Sequence, residues 1–171
     1  MFGGWFSPRK GEEAPQPTAE AGQQPKQQQA ASELPSVPAF FKALQDGEIR
    51  IVRQWVDGNG DIDQRFPIQV LNAWNDTPLI VAAMWGHIEV VTLLLNAGAN
   101  IEAVNHSGHT ALITAASQGE VEVVKLLLEW KANVQAKSVK VDRTALDMAK
   151  LRSESKPHRD VVAILAPLTN K

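Results

Sequence analysis

The sequence predicts an all-α solenoid of about four stacked helix-turn-helix units with finger loops, preceded by a disordered tail, and three observations predict it. The first is self-similarity. Thr77-Pro78-Leu79-Ile80-Val81-Ala82-Ala83 returns 33 residues later as Thr110-Ala111-Leu112-Ile113-Thr114-Ala115-Ala116, and a fixed period of this size marks a repeat architecture. The second is that the match runs on. Ile88-Glu89-Val90-Val91-Thr92-Leu93-Leu94-Leu95 meets Val121-Glu122-Val123-Val124-Lys125-Leu126-Leu127-Leu128, and Gly98-Ala99-Asn100-Ile101 meets Lys131-Ala132-Asn133-Val134. One period therefore carries two helices and a loop. The third is a change of composition: Gly11 to Pro35 is Gln, Pro, Ala and Glu with almost no large apolar side chain, too little to offset the entropy of ordering.

Each unit reads as two short helices. Thr77 is placed to cap the first, Pro78 suits a first turn where no amide partner is lost, and Gly86 ends it. In the second, Val90, Val91, Leu93, Leu94 and Leu95 form a wide apolar face, with Glu89 and Thr92 outside it. Neither helix can bury that face alone. Stacked neighbours can, so stability becomes a sum of unit and interface contributions.

Two less regular units flank this pair. Aligning Gly47 with Gly86 makes Phe40 to Leu44 the first helix of an opening unit, Ile49 to Val56 its second, and Gly60-Asp61-Ile62 its loop. Asn59 stands where glycine is usual, and asparagine enters the left-handed region more easily than most residues. At the far end Thr144 to Ala149 opens a fourth unit and Asp160 to Leu165 closes it, with about four extra residues around Ser153 to Pro157 lengthening the turn. The expected organisation is a tail over 1–36 and a repeat domain over 37–171, with units at about 37–70, 74–106, 107–139 and 140–168. The spacing from Gly47 to Gly86 is 39, so the first finger is six residues long in excess, and Phe66, Ile68, Val70, Leu71 and Trp74 make it apolar. It either folds back on the stack or meets a partner. Lys131 replaces the glycine after the second helix of the third unit.

The run T-P-L-x-x-A-A-x-x-G-H-x-E-V-V-x-L-L-L-x-x-G-A-N resembles the ankyrin repeat. The resemblance implies a non-catalytic module that holds a protein partner in the concave groove between finger loops and first helices, as an adaptor or scaffold; the alternative is a structural subunit of a larger assembly. Carried over by position, the groove residues are Ala73, Trp74, Asp76, Met84, Trp85 and Ala97 in the second unit, and His106, Ser107, His109, Ser117, Gln118 and Trp130 in the third. Trp74, Trp85 and Trp130 are either binding anchors or covers for a neighbouring repeat edge. His87, after Gly86, takes the family's usual structural histidine position.

Other chemistry is not expected. A net charge of −2 supplies no basic surface for nucleic acid or an acidic membrane. The chain has no cysteine, which excludes disulfides and thiolate metal sites and fits the cytoplasm, the nucleus being the other compartment considered. Gly3, Gly4, Ser7 and Pro8 break up any signal-peptide core, and no apolar stretch approaches the roughly 20 residues of a membrane span. Asp57 to Asp63 begins like a calcium loop, but Ile62 and Ile68 stand where glycine and a bidentate glutamate are needed. His106 and His109 lack further ligands, so no metal or cofactor is expected. Thr77, Thr110 and Thr144 recur at a capping position, and no phosphate loop or nucleophile elbow is present, which argues against an enzyme. Phe2, Trp5 and Phe6 form an aromatic cluster at the start, either an incidental feature with at most a weak contact to the domain, or a short docking motif.

Deleting residues 1–36 is expected to leave the melting temperature of the repeat domain unchanged in a calorimetric scan. An appreciable drop would mean that the aromatic cluster packs on the stack.

Overall fold

In the computed structural model, which describes residues 34–66 and 75–169, the first helices start where a hydroxyl can take up an orphan amide. Ser36 accepts from the Ala39 amide at 3.4 Å, Thr77 from Ile80 at 3.4 Å, Thr110 from Ile113 at 3.3 Å and Thr144 from Asp147 at 3.3 Å. These caps open α1 (Val37–Asp46), α3 (Pro78–Met84), α5 (Ala111–Gln118) and α7 (Ala145–Lys150). Asp147 closes a capping box, accepting from the Thr144 amide at 3.0 Å and its hydroxyl at 2.8 Å. Those bonds hold the Asp147 carboxyl below the usual carboxylate range. Each first helix is answered by a second: α2 (Ile49–Asp57), α4 (Ile88–Asn96), α6 (Val121–Glu129) and α8 (Lys156–Thr169). Among the described residues the regular structure is these eight helices, with no strand.

Burial orders the helices into two layers. Helices α1, α3, α5 and α7 pack on one another in chain order, and α2, α4, α6 and α8 do the same alongside. One apolar core runs through all four units; Leu79, Val90, Val91 and Leu94 supply the second unit's part, and Leu112, Val123, Val124 and Leu127 the third's. The face read from the sequence is therefore the face that is buried.

The contacts between units include a polar one. The His87 ring donates from Nε2 to the Gln45 carbonyl at 2.7 Å, and the His158 ring from Nε2 to the Ser117 carbonyl at 3.0 Å, each reaching back one unit. A carbonyl only accepts, so Nε2 carries the proton, and His158 Nδ1 accepts from the Ser155 hydroxyl at 2.6 Å. Each ring lies over a glycine. A Cβ at Gly47 would fall 2.6 Å from His87 Nδ1, and one at Gly119 would fall 3.0 Å from His158. Glu120 takes the same place over Gly86 between the second and third units, and a carboxylate there has no proton to donate.

The structure moves one boundary read from the sequence and resolves details left open. Helix α8 is 14 residues long and starts at Lys156, so Lys156 and Pro157 are its first turn rather than part of a longer connection. That early start is what delivers His158 to the third unit. Phe66 folds back on the stack: it is fully buried, with its ring 4.8 Å from that of Phe41 and 6.0 Å from that of Phe40, which in turn stacks on Trp55 at 4.3 Å. The rest of the long finger, with Ile68, Val70, Leu71, Ala73 and Trp74, lies outside the described residues, as do residues 1–33 with Phe2, Trp5 and Phe6. Leu34 reaches over Gly58 and Ser36 caps α1, so a cut that tests the tail alone belongs after residue 33. The left-handed turn after the second helix persists without glycine, with φ of 58° at Asn59 and 65° at Lys131. For lysine this conformation costs on the order of 1 kcal/mol.

Leu94 and Leu127 are both 0% exposed and occupy equivalent places in the second layer. Leu94→Ala and Leu127→Ala are each expected to lower stability by about 2–5 kcal/mol in urea denaturation. A neutral outcome at either site would contradict the packing of α4 and α6.

Candidate protein-binding site

The fingers are tied to one another by polar bonds before any surface is formed. Asn105 folds the third unit's finger, its Oδ1 accepting from the Ser107 amide at 2.9 Å and the His109 amide at 3.0 Å. Its Nδ2 donates to Asp76 Oδ1 at 2.8 Å, which links this finger to the base of the one before. Asp63 reaches forward to accept from the Asn100 amide at 3.1 Å, and Glu102 from the Asn133 amide at 2.8 Å. The Arg65 guanidinium donates to the carbonyls of Asn75 and Val104. These bonds fix the finger positions relative to the first helices.

Between the fixed fingers and the first helices lies a recess of about 220 Å³, lined by Met84, Asn105, Ser107, His109, Thr114, Ser117 and Gln118. Five of the groove residues carried over from the sequence meet there: Met84 from the end of α3, Ser107 and His109 from the finger, Ser117 and Gln118 from the end of α5. Trp85 follows Met84 as the residue capping α3, and its side chain is 53% exposed. His106 is exposed on the finger.

Other groove residues do not join this recess. Asp76 is 2% exposed, and its carboxylate is engaged by Asn105, so it holds the fingers and is not a contact surface. The positional reading treated it as left open by the fold; the cross-finger hydrogen bond takes it inside. Ala97 and Trp130 cap the C-termini of α4 and α6, in the layer of second helices, and Trp130 is 41% exposed there. Ala73 and Trp74 lie outside the described residues. Asn105 and Thr114 were missed by the sequence reading. Thr114 had a legible signal, since it puts a hydroxyl where the preceding unit has Val81. Asn105 had none without knowing which finger amides lay near it.

No helix of the described residues is long and apolar enough to cross a membrane. Among them no group of three or more His, Asp or Glu side chains is placed to hold a metal ion.

A family model described as ankyrin repeats, in three copies, matches residues 40–138, more than half of the chain. A curated relative, from Oryza sativa subsp. japonica, is named as a probable E3 ubiquitin-protein ligase XBOS31 and is 38% identical over 63 residues. That match covers 37% of this chain and 13% of the rice protein, so the chain spans a small part of the relative's length.

Burial pushes the His109 imidazole below the ordinary histidine pKa, opposed by the Asp76 carboxylate and reinforced by Lys140. A histidine depressed in the folded state binds fewer protons there than in the unfolded chain. Stability associated with it is therefore complete above about pH 6.5 and declines as pH falls from there towards the folded pKa. His109→Gln is expected to flatten this acid-side loss in urea titrations run between pH 5 and 7, while an unchanged slope would place the responsible proton elsewhere.

Proposed function

Since the chain belongs to the ankyrin-repeat family, we propose that it is a non-catalytic interaction module that holds a protein partner against the fingers and first helices of its second and third units. The observation that carries this reading is the recess itself. It joins side chains of two successive units, and a half-exposed tryptophan, Trp85, stands beside Met84 at the end of α3. Large aromatics that packing leaves accessible beside a concave polar surface are the usual anchors of protein interfaces. The finger bonds of Asp63, Glu102 and Asn105 support the same reading, because a surface ordered in advance loses less entropy on binding. An adaptor or scaffold in the cytoplasm fits this chemistry, and the absence of cysteine agrees with a reducing compartment. The ligase name of the rice relative belongs to a protein of which 13% is matched, and no ligase activity is carried over.

A second reading, a permanent subunit of a larger assembly, is favoured by one further feature. Val139 and Val141 are exposed in the finger between α6 and α7, Val139 at 82%, and Trp130 is partly exposed at the end of α6. Light scattering separates the two: a stable monomer supports the adaptor, and insolubility without companions supports the subunit.

Trp85→Ala is expected to weaken binding of the partner, isolated by affinity capture from native cells, by about 2 kcal/mol or more while leaving stability nearly unchanged. Calorimetric titration beside urea denaturation reads both quantities. Lost stability with intact affinity would return Trp85 to a packing role and sink the proposed surface.

A further inference from the structure

The net charge of −2 is spread unevenly along the stack. From 137 to 152, in the fourth unit's finger and first helix, five side chains are cationic and two anionic, against two and six from 75 to 136. The two anions are spent locally: Asp142 pairs with Lys137 at 3.1 Å, and Asp147 closes the cap of α7. Arg143 and Lys150 are exposed and form no ion pair among the described residues.

The repeat register puts this charge at positions that line the recess one unit earlier. Thr110 and Thr144 cap equivalent helices, so Ser117 and Gln118 correspond to Leu151 and Arg152, and Ser107 and His109 to Val141 and Arg143. Gly108 and Asp142, between those finger residues, share a left-handed backbone, with φ of 76° and 47°. A polar lining in the third unit is thus replaced in the fourth by two guanidiniums and two aliphatic side chains. Stacking leaves the aliphatic pair open, Leu151 at 57% and Val141 at 50% exposure.

The two surfaces are continuous. A Cβ at Gly108 would collide with the Val139 amide, so the fourth unit's finger lies against the third's. The Lys140 ammonium acts on the His109 ring in the recess. Arg152 donates from Nη1 to the Ser117 carbonyl at 3.1 Å and to Gln118 Oε1 at 3.4 Å, which holds the guanidinium beside the recess and leaves its Nε and Nη2 donors for another acceptor. Guanidinium forks match planar carboxylates, and apolar cover over such a pair strengthens it by excluding water. A nucleic acid or an anionic bilayer carries its charge over a long span, and would run from this patch onto units in which anions outnumber cations.

We propose that the protein-binding face continues onto the fourth unit and there takes an acidic segment of the bound protein, its carboxylates paired with Arg143 and Arg152 and its apolar side chains covering Val141 and Leu151. The inference rests on the reading of the fingers and first helices as a protein-binding surface, and it names the chemistry of the partner.

The test is selection on the intact chain from a phage-displayed library of random peptides of about 12 residues, whose extended reach of about 40 Å spans more than one unit. Recovered peptides are titrated calorimetrically against variants of the chain. The expected peptides depend on Trp85, carry Asp or Glu at fixed positions, and lose affinity as salt rises. Arg143→Gln and Arg152→Gln should each weaken binding about 3- to 10-fold, the effect of about one lost hydrogen bond to a charged group. Arg143→Glu should weaken it further at an unchanged melting temperature, and Lys in place of the peptide's Glu should restore affinity for that variant, which a folding effect could not do. Trp85-dependent peptides without acidic positions, or acidic peptides indifferent to both arginines, would overturn the acidic segment and leave the surface of units two and three intact. So would failure to recover acidic peptides together with an Arg143-dependent affinity for a duplex oligonucleotide or phosphatidylserine vesicles. Acidic peptides that need the arginines but not Trp85 would uphold the acidic segment and overturn the surface at units two and three. Recovery of no peptide dependent on Trp85 or on the arginines would overturn both.

Discussion

Every other feature of this chain depends on the fact that its short amphipathic helices cannot bury their apolar faces within one unit. The helices run from 6 to 14 residues, and isolated helices of this length are marginal in water. Burial of Leu94, Leu127 and their neighbours between units supplies what local propensity lacks. The interface also selects residues that contribute little to a helix by itself. Gly47 and Gly119 leave room for His87 and His158, whose ring protons meet carbonyls of the unit before. Direction is thereby built into the stack, since each histidine reaches backward and each glycine receives from ahead.

The first and fourth units fill the core differently from the two between them. The first unit encloses four aromatic rings, Phe40, Phe41, Trp55 and Phe66, and the last of them comes from the long finger. The Trp55 Nε1 proton is taken by the Asp61 carbonyl at 3.0 Å, so the bulk of an indole enters the core without an unmet donor. The fourth unit uses length instead. Helix α8 extends over the third unit, and its early start turns an apparent insertion into the turn that carries His158.

A rigid stack makes a useful surface only if its loops are equally well held, and here they are held by carboxylates and one amide. Asp63, Asp76, Glu102 and Asn105 each bridge successive fingers, so their side chains are engaged by the neighbouring loop. The same bonds leave Met84, Ser107, His109, Ser117 and Gln118 around a common recess. Some polar residues of the fingers tie the loops together, some line the recess, and Asn105 does both, so a residue's sequence position alone does not tell its part.

The sequence by itself determined the fold class, the helix pairs, their caps and the buried face, because these follow from local rules: a hydroxyl before a helix, an apolar period, and a 33-residue recurrence. It also located most of the recess lining, since groove positions are fixed within each repeat. Tertiary structure decided the rest. Asp76 moved from surface to support because its partner, Asn105, lies 29 residues away, and Phe66 became core because the rings it meets belong to α1. Each of these outcomes depends on which distant group stands within about 3–6 Å, a distance that a hydrogen bond or an aromatic contact requires and that repeat spacing does not encode.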